Sequence, residues 1–346
     1  METNDRTATT ATTATTTATK PPMTRRLGRS NIEVSALGLG CWAIGGPFKM
    51  FGKPDGWGAV DDDESIRAIH RALDLGVTLF DTADAYGTGH SERVLGRALA
   101  GRREQAVIAT KFGFTHDEAK RELIGTDPSP GYVRRACEAS LRRLGTDYID
   151  LYQLHIGELP AEEAAPIRDA LETLVDDGLI RAYGWSTGVA EKAEVFAAGP
   201  RCAAIQHSLH VFTDAAEVLA VCDAHDLASI NNSPLAMGLL TGKFTADSQL
   251  PDDDVRGTGW EWVPYFSDGR PVPEFLAKLD AIREILRTNG RTLAQGALAW
   301  IWGRSERTIP IPGFKSVAQA EDNAGAMAFG PLEPVQMAEI EQLLRP

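Results

Sequence analysis

The chain has 346 residues, of which 43% are hydrophobic and 24% charged, an ordinary balance for a globular protein with a sizeable core. Its formal net charge of −13 argues against a nucleic-acid or membrane surface as the main partner, because attraction to phosphates needs a basic face. The four cysteines form no paired motif and no apolar run is long enough to span a bilayer, so we expect reduced thiols in a cytoplasmic protein.

The N-terminal segment differs in composition from the rest of the chain. Residues 7–19 are almost wholly Thr and Ala and have no periodic apolar face, so burial cannot offset the entropy lost on ordering them. We therefore predict a disordered tail over residues 1–22 and a single domain over residues 23–346.

The domain begins with a predicted β-hairpin. Two short runs, Arg25–Leu27 and Ile32–Val34, flank the turn residues Gly28–Asn31, and the hairpin is expected to plug the floor of the fold. A first helix is predicted over Asp63–Leu75, with Asp62 or Asp63 as its cap. Other helical stripes are Tyr132–Leu144, Ile167–Val175, Val218–His225 and a terminal Glu333–Leu344.

Short β-rich runs alternate with these helical stretches along the whole domain. They are Ala36–Gly40, Thr78–Asp81, Val107–Lys111, Ile149–His155, Ile180–Ser186, Ala203–His207, Ala228–Ser233 and Thr308–Pro312. Eight strands, each followed by a helix, favour a closed (β/α)8 TIM barrel over an open sheet. Gly38 and Gly40 resemble a dinucleotide-binding glycine loop, but Trp42 and Pro47 indicate a loop there instead of the required helix. We predict an α/β barrel with an N-terminal hairpin and an extra C-terminal helix.

Four side chains at the predicted strand ends suit one kind of chemistry. Asp81, Lys111 and His155 end strands two, three and four, and Tyr86 lies in the loop after strand two. Catalysis in such barrels sits at this rim. Reduction of a carbonyl builds negative charge on its oxygen, which a tyrosine can protonate if a lysine lowers the tyrosine pKa and an aspartate holds that lysine. A neutral histidine can orient the carbonyl oxygen.

The motifs around these residues carry a resemblance to a known family. They are Gly38–Trp42, Phe80–Gly87, Ala109–Lys111, Gln153–His155, Gly184–Thr187, Ser233–Lys243 and Ile309–Gly313. In this order and at these spacings the chain resembles the aldo-keto reductases, most closely the branch of bacterial reductases and potassium-channel β-subunits. The resemblance implies that Tyr86 is the general acid, Lys111 tunes it, Asp81 orients the lysine and His155 positions an aldehyde or ketone substrate.

The resemblance also implies NADPH as the hydride donor, extended along the rim. Ser186 and Gln206 would hold the nicotinamide carboxamide, and Lys315 would face the 2′-phosphate. The full predicted cofactor set is Trp42, Asp81, Ser186, Thr187, Gln206, Asn232, Ser233, Pro234, Leu235, Gly238, Lys243, Arg256, Gly313, Lys315, Gln319, Asp322 and Asn323. Three of these depart from the family pattern: Thr187, Asn232 and Gln319 stand where Asn, an aromatic ring and Arg are common.

Two other functions are compatible with a barrel. A cofactor-binding, redox-sensing partner protein would bind NADPH tightly with slow turnover. A metal-dependent hydrolase would need His and Asp at several strand ends, whereas Lys111 between Asp81 and His155 would repel a cation, so no metal is predicted. The aromatic residues Trp42, Trp260 and Trp262 are candidate walls of an apolar substrate pocket.

Overall fold

The computed structural model describes residues 23–345, so the tail predicted at residues 1–22 lies outside the described part of the chain. Eight parallel strands are hydrogen-bonded in chain order, which confirms the predicted barrel. They are β1 Gly38–Gly40, β2 Leu79–Asp81, β3 Val107–Phe112, β4 Ile149–Leu154, β5 Ile180–Ser186, β6 Cys202–Ser208, β7 Ala228–Asn232 and β8 Thr308–Pro310. Gly40 bridges to Gly313 and its N–H donates to the Pro312 carbonyl at 3.0 Å, which nearly closes the barrel.

Helices cover the outside of the barrel. They are α1 Asp62–Asp74, α2 His90–Leu99, α3 Pro130–Leu144, α4 Ala161–Asp176, α5 Ala190–Ala197, α6 Ala216–Ala224, α7 Pro273–Leu286, α8 Leu293–Trp302, α9 Val317–Gly325 and α10 Pro334–Leu344. The cap of α1 is Asp61, one residue before the predicted positions, because Asp61 Oδ1 accepts from the Asp63 and Glu64 amides. No helix in the described ranges combines the length and apolarity needed to cross a bilayer.

The N-terminal hairpin closes the floor of the barrel as predicted. Thr24–Arg26 pairs antiparallel with Glu33–Ser35, and the buried Leu27 and Val34 join the apolar cluster inside the barrel. Gly28 has φ +52°, and a Cβ there would lie 2.2 Å from the Ala203 carbonyl oxygen, so only glycine fits this turn against the barrel. The floor is therefore filled, and an open site is left at the opposite end.

Loops build up that opposite end. A rim sheet of four short strands, Lys53–Pro54, Lys49–Met50, Glu122–Thr126 and Phe114–Asp117, stands over the strand ends. The Val255 amide donates to the Gly56 carbonyl at 2.9 Å and so joins the rim sheet to the long loop after β7. That loop contains the short hairpin Phe266–Ser267 and Arg270–Pro271. Short 3-10 turns lie at Ala43–Gly45, Arg103–Gln105, Ala236–Thr241, Val255–Gly257, Thr288–Gly290 and Ala326–Ala328.

Candidate active site

The ammonium group of Lys111 lies at the centre of the predicted catalytic group. Strand β3 carries Lys111 into the barrel, where its side chain is fully buried. The Nζ donates to Asp81 Oδ1 at 2.5 Å, to the Thr82 carbonyl at 2.9 Å and to Tyr86 Oη at 3.1 Å. Two adjacent strands and one loop thus bring the three predicted side chains together, since parallel strands end at the same rim.

The second carboxylate oxygen of Asp81 is held from across the barrel. Gln206 Nε2 on β6 donates to Asp81 Oδ2 at 2.8 Å, and Gln153 Nε2 on β4 donates to the same atom at 3.0 Å. A buried carboxylate keeps its charge only when such partners replace water. Gln206 was predicted to hold the cofactor, and the structure adds this contact with Asp81.

Burial and charge set the protonation of this group. Burial disfavours the charge on Lys111, but Asp81 and then Tyr86 outweigh it, so the pKa of Lys111 is raised. Burial raises the pKa of Tyr86 above its ordinary value, although Lys111 acts in the opposite direction. The pKa of Tyr86, predicted from the sequence to be lowered by Lys111, is therefore raised overall, because desolvation of the phenolate outweighs the lysine. Lys111 therefore remains an ammonium beside a protonated phenol.

His155 follows β4 and faces the tyrosine. Its ring centroid lies 5.8 Å from that of Tyr86, edge-on, and 5.3 Å from that of Phe114. Burial, and then the charge of Lys111, hold the pKa of His155 well below its ordinary value. The imidazole is therefore neutral and can donate one hydrogen bond to a carbonyl oxygen.

A cavity of about 730 Å³ opens above these residues. Its walls on the Tyr86 side are mostly aromatic or aliphatic, namely Trp42, Ala43, Phe48, Met50, Trp57, Ala85, Phe114, Leu123 and Trp262. The Trp42 ring stacks at 6.0 Å on the Tyr86 ring. Trp260, also expected as a wall, stacks on Trp262 at 6.2 Å behind the lining. Such a pocket suits an apolar molecule presented to Tyr86 and His155.

Three cations stand together at another part of the same cavity, Lys243, Arg256 and Lys315. Burial lowers the pKa of Lys243, and the charge of Arg256 lowers it further. Burial likewise lowers the pKa of Lys315, and Arg256 adds to that effect. Asp254 pairs with Arg256 at 2.7 Å. Three cationic side chains with one paired carboxylate leave a net positive charge among these four groups, which is suited to a phosphate-bearing ligand.

The loop after β7 has an unusual backbone. Ser233, Ala236 and Met237 adopt φ values of +49°, +47° and +56°, a conformation that costs free energy for residues other than glycine. Such backbone clusters at ligand sites, where successive amides can form a concave anion cradle. This loop borders the three cations along the cavity.

Sixteen of the predicted cofactor residues line this cavity: Trp42, Asp81, Ser186, Gln206, Asn232, Ser233, Pro234, Leu235, Gly238, Lys243, Arg256, Gly313, Lys315, Gln319, Asp322 and Asn323. The exception is Thr187, which is buried beside the lining and whose Oγ1 accepts from the Val189 amide at 3.3 Å. Lys315 Nζ donates to the Trp57 carbonyl at 2.8 Å and so joins the adenosine end of the predicted site to the rim.

Two ionisable residues of the cavity lining were not predicted from the sequence: Asp254, which pairs with Arg256, and Asp55. Asp55 lies between Pro54 and Gly56, a combination that by itself indicates only a turn. A local pattern has no signal for the direction of this carboxyl group, because that direction depends on how the loop between β1 and α1 folds back on itself, with the Asp55 amide bound to Phe48 and its carbonyl to Trp42. Across the part of the chain that the structure describes, no three or more His, Cys, Asp or Glu side chains are grouped to hold a metal ion.

Known proteins are similar to this chain in sequence. The profile of the Aldo/keto reductase family matches residues 36–345. The aldo-keto reductase YhdN of Bacillus subtilis is 34% identical over 299 residues, which cover 84% of this chain and 85% of that protein.

Solved structures are similar over nearly the whole chain. The glycerol dehydrogenase from Gluconobacter oxydans superposes with a TM-score of 0.78 at 31% identity, covering 93% of this chain and 94% of that one. An aldo/keto reductase from Klebsiella pneumoniae, solved with NADP and acetate, gives a TM-score of 0.66 at 28% identity, covering 91% and 93%.

Proposed function

Because the chain belongs to the aldo-keto reductase family, we propose that it uses NADPH to reduce an aldehyde or ketone to an alcohol. Members of this family are NAD(P)H-dependent oxidoreductases that act on carbonyl and alcohol groups. The observation that carries the proposal is the position of Lys111 Nζ, which lies 2.5 Å from Asp81 and 3.1 Å from Tyr86. The cavity above it is also lined by three cationic side chains.

The bound cofactor would supply a hydride to the carbonyl carbon. The side chains of this chain would then manage the oxygen. Tyr86 would donate its phenolic proton to that oxygen, and Lys111, already 3.1 Å from Tyr86 Oη, would stabilise the phenolate that remains. Asp81 would keep Lys111 charged and aimed. The neutral His155 would donate a hydrogen bond that orients the carbonyl oxygen before the proton moves.

The donor set of the cavity fits NADPH. Lys243 and Arg256, with the strained Ser233–Leu235 loop, would bind the pyrophosphate, and Lys315 would bind the 2′-phosphate. Ser186 and Gln206 would hold the carboxamide. Gln206 uses its nitrogen on Asp81 and Gln153, which leaves its carbonyl oxygen to accept from an amide of the cofactor.

Titration of the purified protein with NADPH and with NADH tests the cofactor, followed by quenching of tryptophan fluorescence because Trp42 lines the cavity. We expect saturable binding that is tighter for NADPH, and NADPH oxidation when aldehydes are added. Absence of binding would overturn the proposal. Tight binding without turnover of any carbonyl would support the redox-sensing alternative instead. The cytoplasmic location stays a prediction.

A further inference from the structure

Asp55 is a carboxyl group on the cavity wall that the proposed mechanism does not use. Asp55 is one of the residues that line the cavity, and it is 7% exposed. Among residues 23–345, neither carboxyl oxygen takes part in a hydrogen bond or an ion pair, and Oδ1 is buried without a partner. Burying an unpartnered carboxyl group is costly, so its position in a ligand cavity indicates a partner on the ligand.

The backbone around Asp55 cannot easily withdraw the side chain. The Asp55 amide donates to the Phe48 carbonyl at 3.0 Å, and the Asp55 carbonyl accepts from Trp42 Nε1 at 3.1 Å. The next residue, Gly56, packs so closely that a Cβ would lie 2.5 Å from the Gly46 carbonyl oxygen. The rim loop is thus held on three sides, which fixes the backbone that carries the carboxyl group.

Three tryptophan residues line the cavity together with Asp55. Trp42 lies 5.3 Å from Trp57, edge-on, and 5.8 Å from Trp262, measured between ring centroids. Trp57 already accepts a cation, since the guanidinium of Arg256 lies 4.6 Å from its ring. Indole faces attract cations, and several of them beside one carboxylate form the kind of site that binds ammonium groups.

The remaining wall argues against a polyhydroxylated ligand. The other apolar residues on this part of the cavity are Ala43, Phe48, Met50, Ala85, Phe114 and Leu123. A sugar-like ligand would bury many hydroxyl groups, each needing a partner that these side chains do not supply. A molecule with an apolar skeleton and a single charged amine would satisfy both the carboxyl group and the apolar wall.

We propose that Asp55 is a specificity-determining residue that binds the ammonium group of an amine-bearing aldehyde or ketone, with Trp42, Trp57 and Trp262 as the surrounding wall. This proposal rests on the proposed carbonyl reduction. Trp42 connects the two sites, because its ring also stacks at 6.0 Å on that of Tyr86. Burial raises the pKa of Asp55 to about 7. A bound ammonium would lower that pKa, because a nearby positive charge favours the ionised carboxylate.

Three matched aldehydes test the proposal with NADPH. The cationic probe is para-(dimethylaminomethyl)benzaldehyde, whose tertiary amine cannot condense with the aldehyde. Its neutral isostere is para-isobutylbenzaldehyde, and para-(hydroxymethyl)benzaldehyde presents a neutral hydroxyl group. We expect a higher kcat/KM for the cation than for its isostere. Asp55→Asn should lower that ratio about tenfold or more, because it removes a charge-assisted contact while keeping the side-chain shape.

Controls separate a local effect from a change in net charge or folding. Asp63→Asn removes an exposed carboxylate on α1 and should leave the ratio unchanged. Trp262→Leu removes one partly exposed wall and should lower the ratio about threefold or more even if Asp55→Asn does not fold. An unchanged ratio in both cavity variants would overturn the proposal. A loss confined to the hydroxymethyl probe would overturn the ammonium assignment.

Binding without turnover distinguishes this proposal from the reaction itself. The non-reducible amine N,N-dimethylbenzylamine is titrated into the NADPH-treated protein, with tryptophan fluorescence as the signal. If the protein reduces none of the three aldehydes, the proposed function fails. The assignment of Asp55 still stands if the amine binds the wild type at least about tenfold more tightly than Asp55→Asn, and it fails if the two bind equally.

Discussion

Gln206 and Asp81 join two strands that are not neighbours in the barrel. The amide nitrogen of Gln206 on β6 donates to Asp81 Oδ2 on β2 at 2.8 Å, and Gln153 on β4 donates to the same oxygen at 3.0 Å. Gln206 also lines the cavity, whereas Gln153 lies fully buried beneath it. One side chain therefore contacts both the proposed cofactor site and the carboxylate that holds Lys111.

This difference predicts distinct effects of two similar substitutions. Gln206→Met and Gln153→Met each remove a donor to a buried carboxylate, and each should lower the free energy of unfolding by about 1–3 kcal/mol. Only Gln206→Met should also weaken NADPH binding, by about tenfold, because only Gln206 faces the cavity. Urea unfolding and fluorescence titration measure the two effects. Equal weakening of NADPH binding in both variants would contradict the assigned role of Gln206.

Tyr86→Phe tests the proton donor. The substitution removes the hydroxyl group 3.1 Å from Lys111 Nζ and keeps the aromatic ring against Trp42. We expect kcat for aldehyde reduction to fall about 10²- to 10⁴-fold, with NADPH affinity changed less than about threefold. Steady-state kinetics and cofactor titration measure both quantities. Retention of full activity would mean that another group supplies the proton.

Lys111 and Asp81 form a buried ion pair, so removing one partner should destabilise the folded protein. Lys111→Met leaves the carboxylate of Asp81 without its cation and should cost about 3–5 kcal/mol of unfolding free energy. Adding Asp81→Asn should recover much of that stability, because no buried charge is then left unpaired. Activity should stay lost in the double variant. Denaturant unfolding of the four proteins in this cycle measures the coupling, and strict additivity would contradict it.

Lys315→Met tests the predicted reading of the 2′-phosphate. The variant should bind NADPH about tenfold or more weakly than the wild type, because it removes a charged partner of that phosphate. NADH lacks the phosphate and serves as the internal control, with an affinity changed less than about threefold. Because Lys315 also donates to the Trp57 carbonyl, an equal loss for both cofactors would point to the rim contact instead.

Asp55→Asn should alter how stability depends on pH. Burial raises the pKa of Asp55 from 3.8 to about 7. The negative charge of Asp55 in turn contributes to the raised pKa of Tyr86. Arg256 and Lys315 approach the same loop through Trp57. A raised folded-state pKa means that the carboxyl group ionises first in the unfolded chain, so wild-type stability falls as pH rises from about 4 to about 7.

The asparagine variant lacks this loss. The melting temperature of the variant relative to wild type should therefore increase between pH about 4 and pH about 8, corresponding to at most about 4 kcal/mol at 1.36 kcal/mol per pKa unit. Thermal unfolding at a series of pH values, with Asp63→Asn as the exposed control, measures this. A difference that does not vary with pH would show that burial does not raise the pKa of Asp55 in the folded protein.

The strand ends were predictable because their information is local. Short β-prone runs separated by helical stripes implied the barrel. Because parallel strands in a barrel end at one rim, the proximity of Asp81, Lys111 and His155 could be predicted from the sequence. The motif Ser233–Lys243 likewise marked a loop that the structure places along the cavity. Most boundaries differed by a residue or two, as at the cap Asp61, because neighbouring Asp residues are locally equivalent. Helix α4 differed more, since it begins at Ala161 and its prediction began at Ile167.

Tertiary structure alone decided the contacts made between distant segments. The bond from Gln206 to Asp81 spans 125 residues of sequence, and the burial that raises the pKa of Tyr86 is produced by loops with no periodic pattern. Asp55 occupies a turn that any polar residue could have occupied, and only the packing of Trp42, Phe48 and Gly56 turns its carboxyl group into part of a cavity wall. Side-chain types and their order determined the chemistry available, whereas desolvation and direction arise from packing, which no local pattern records.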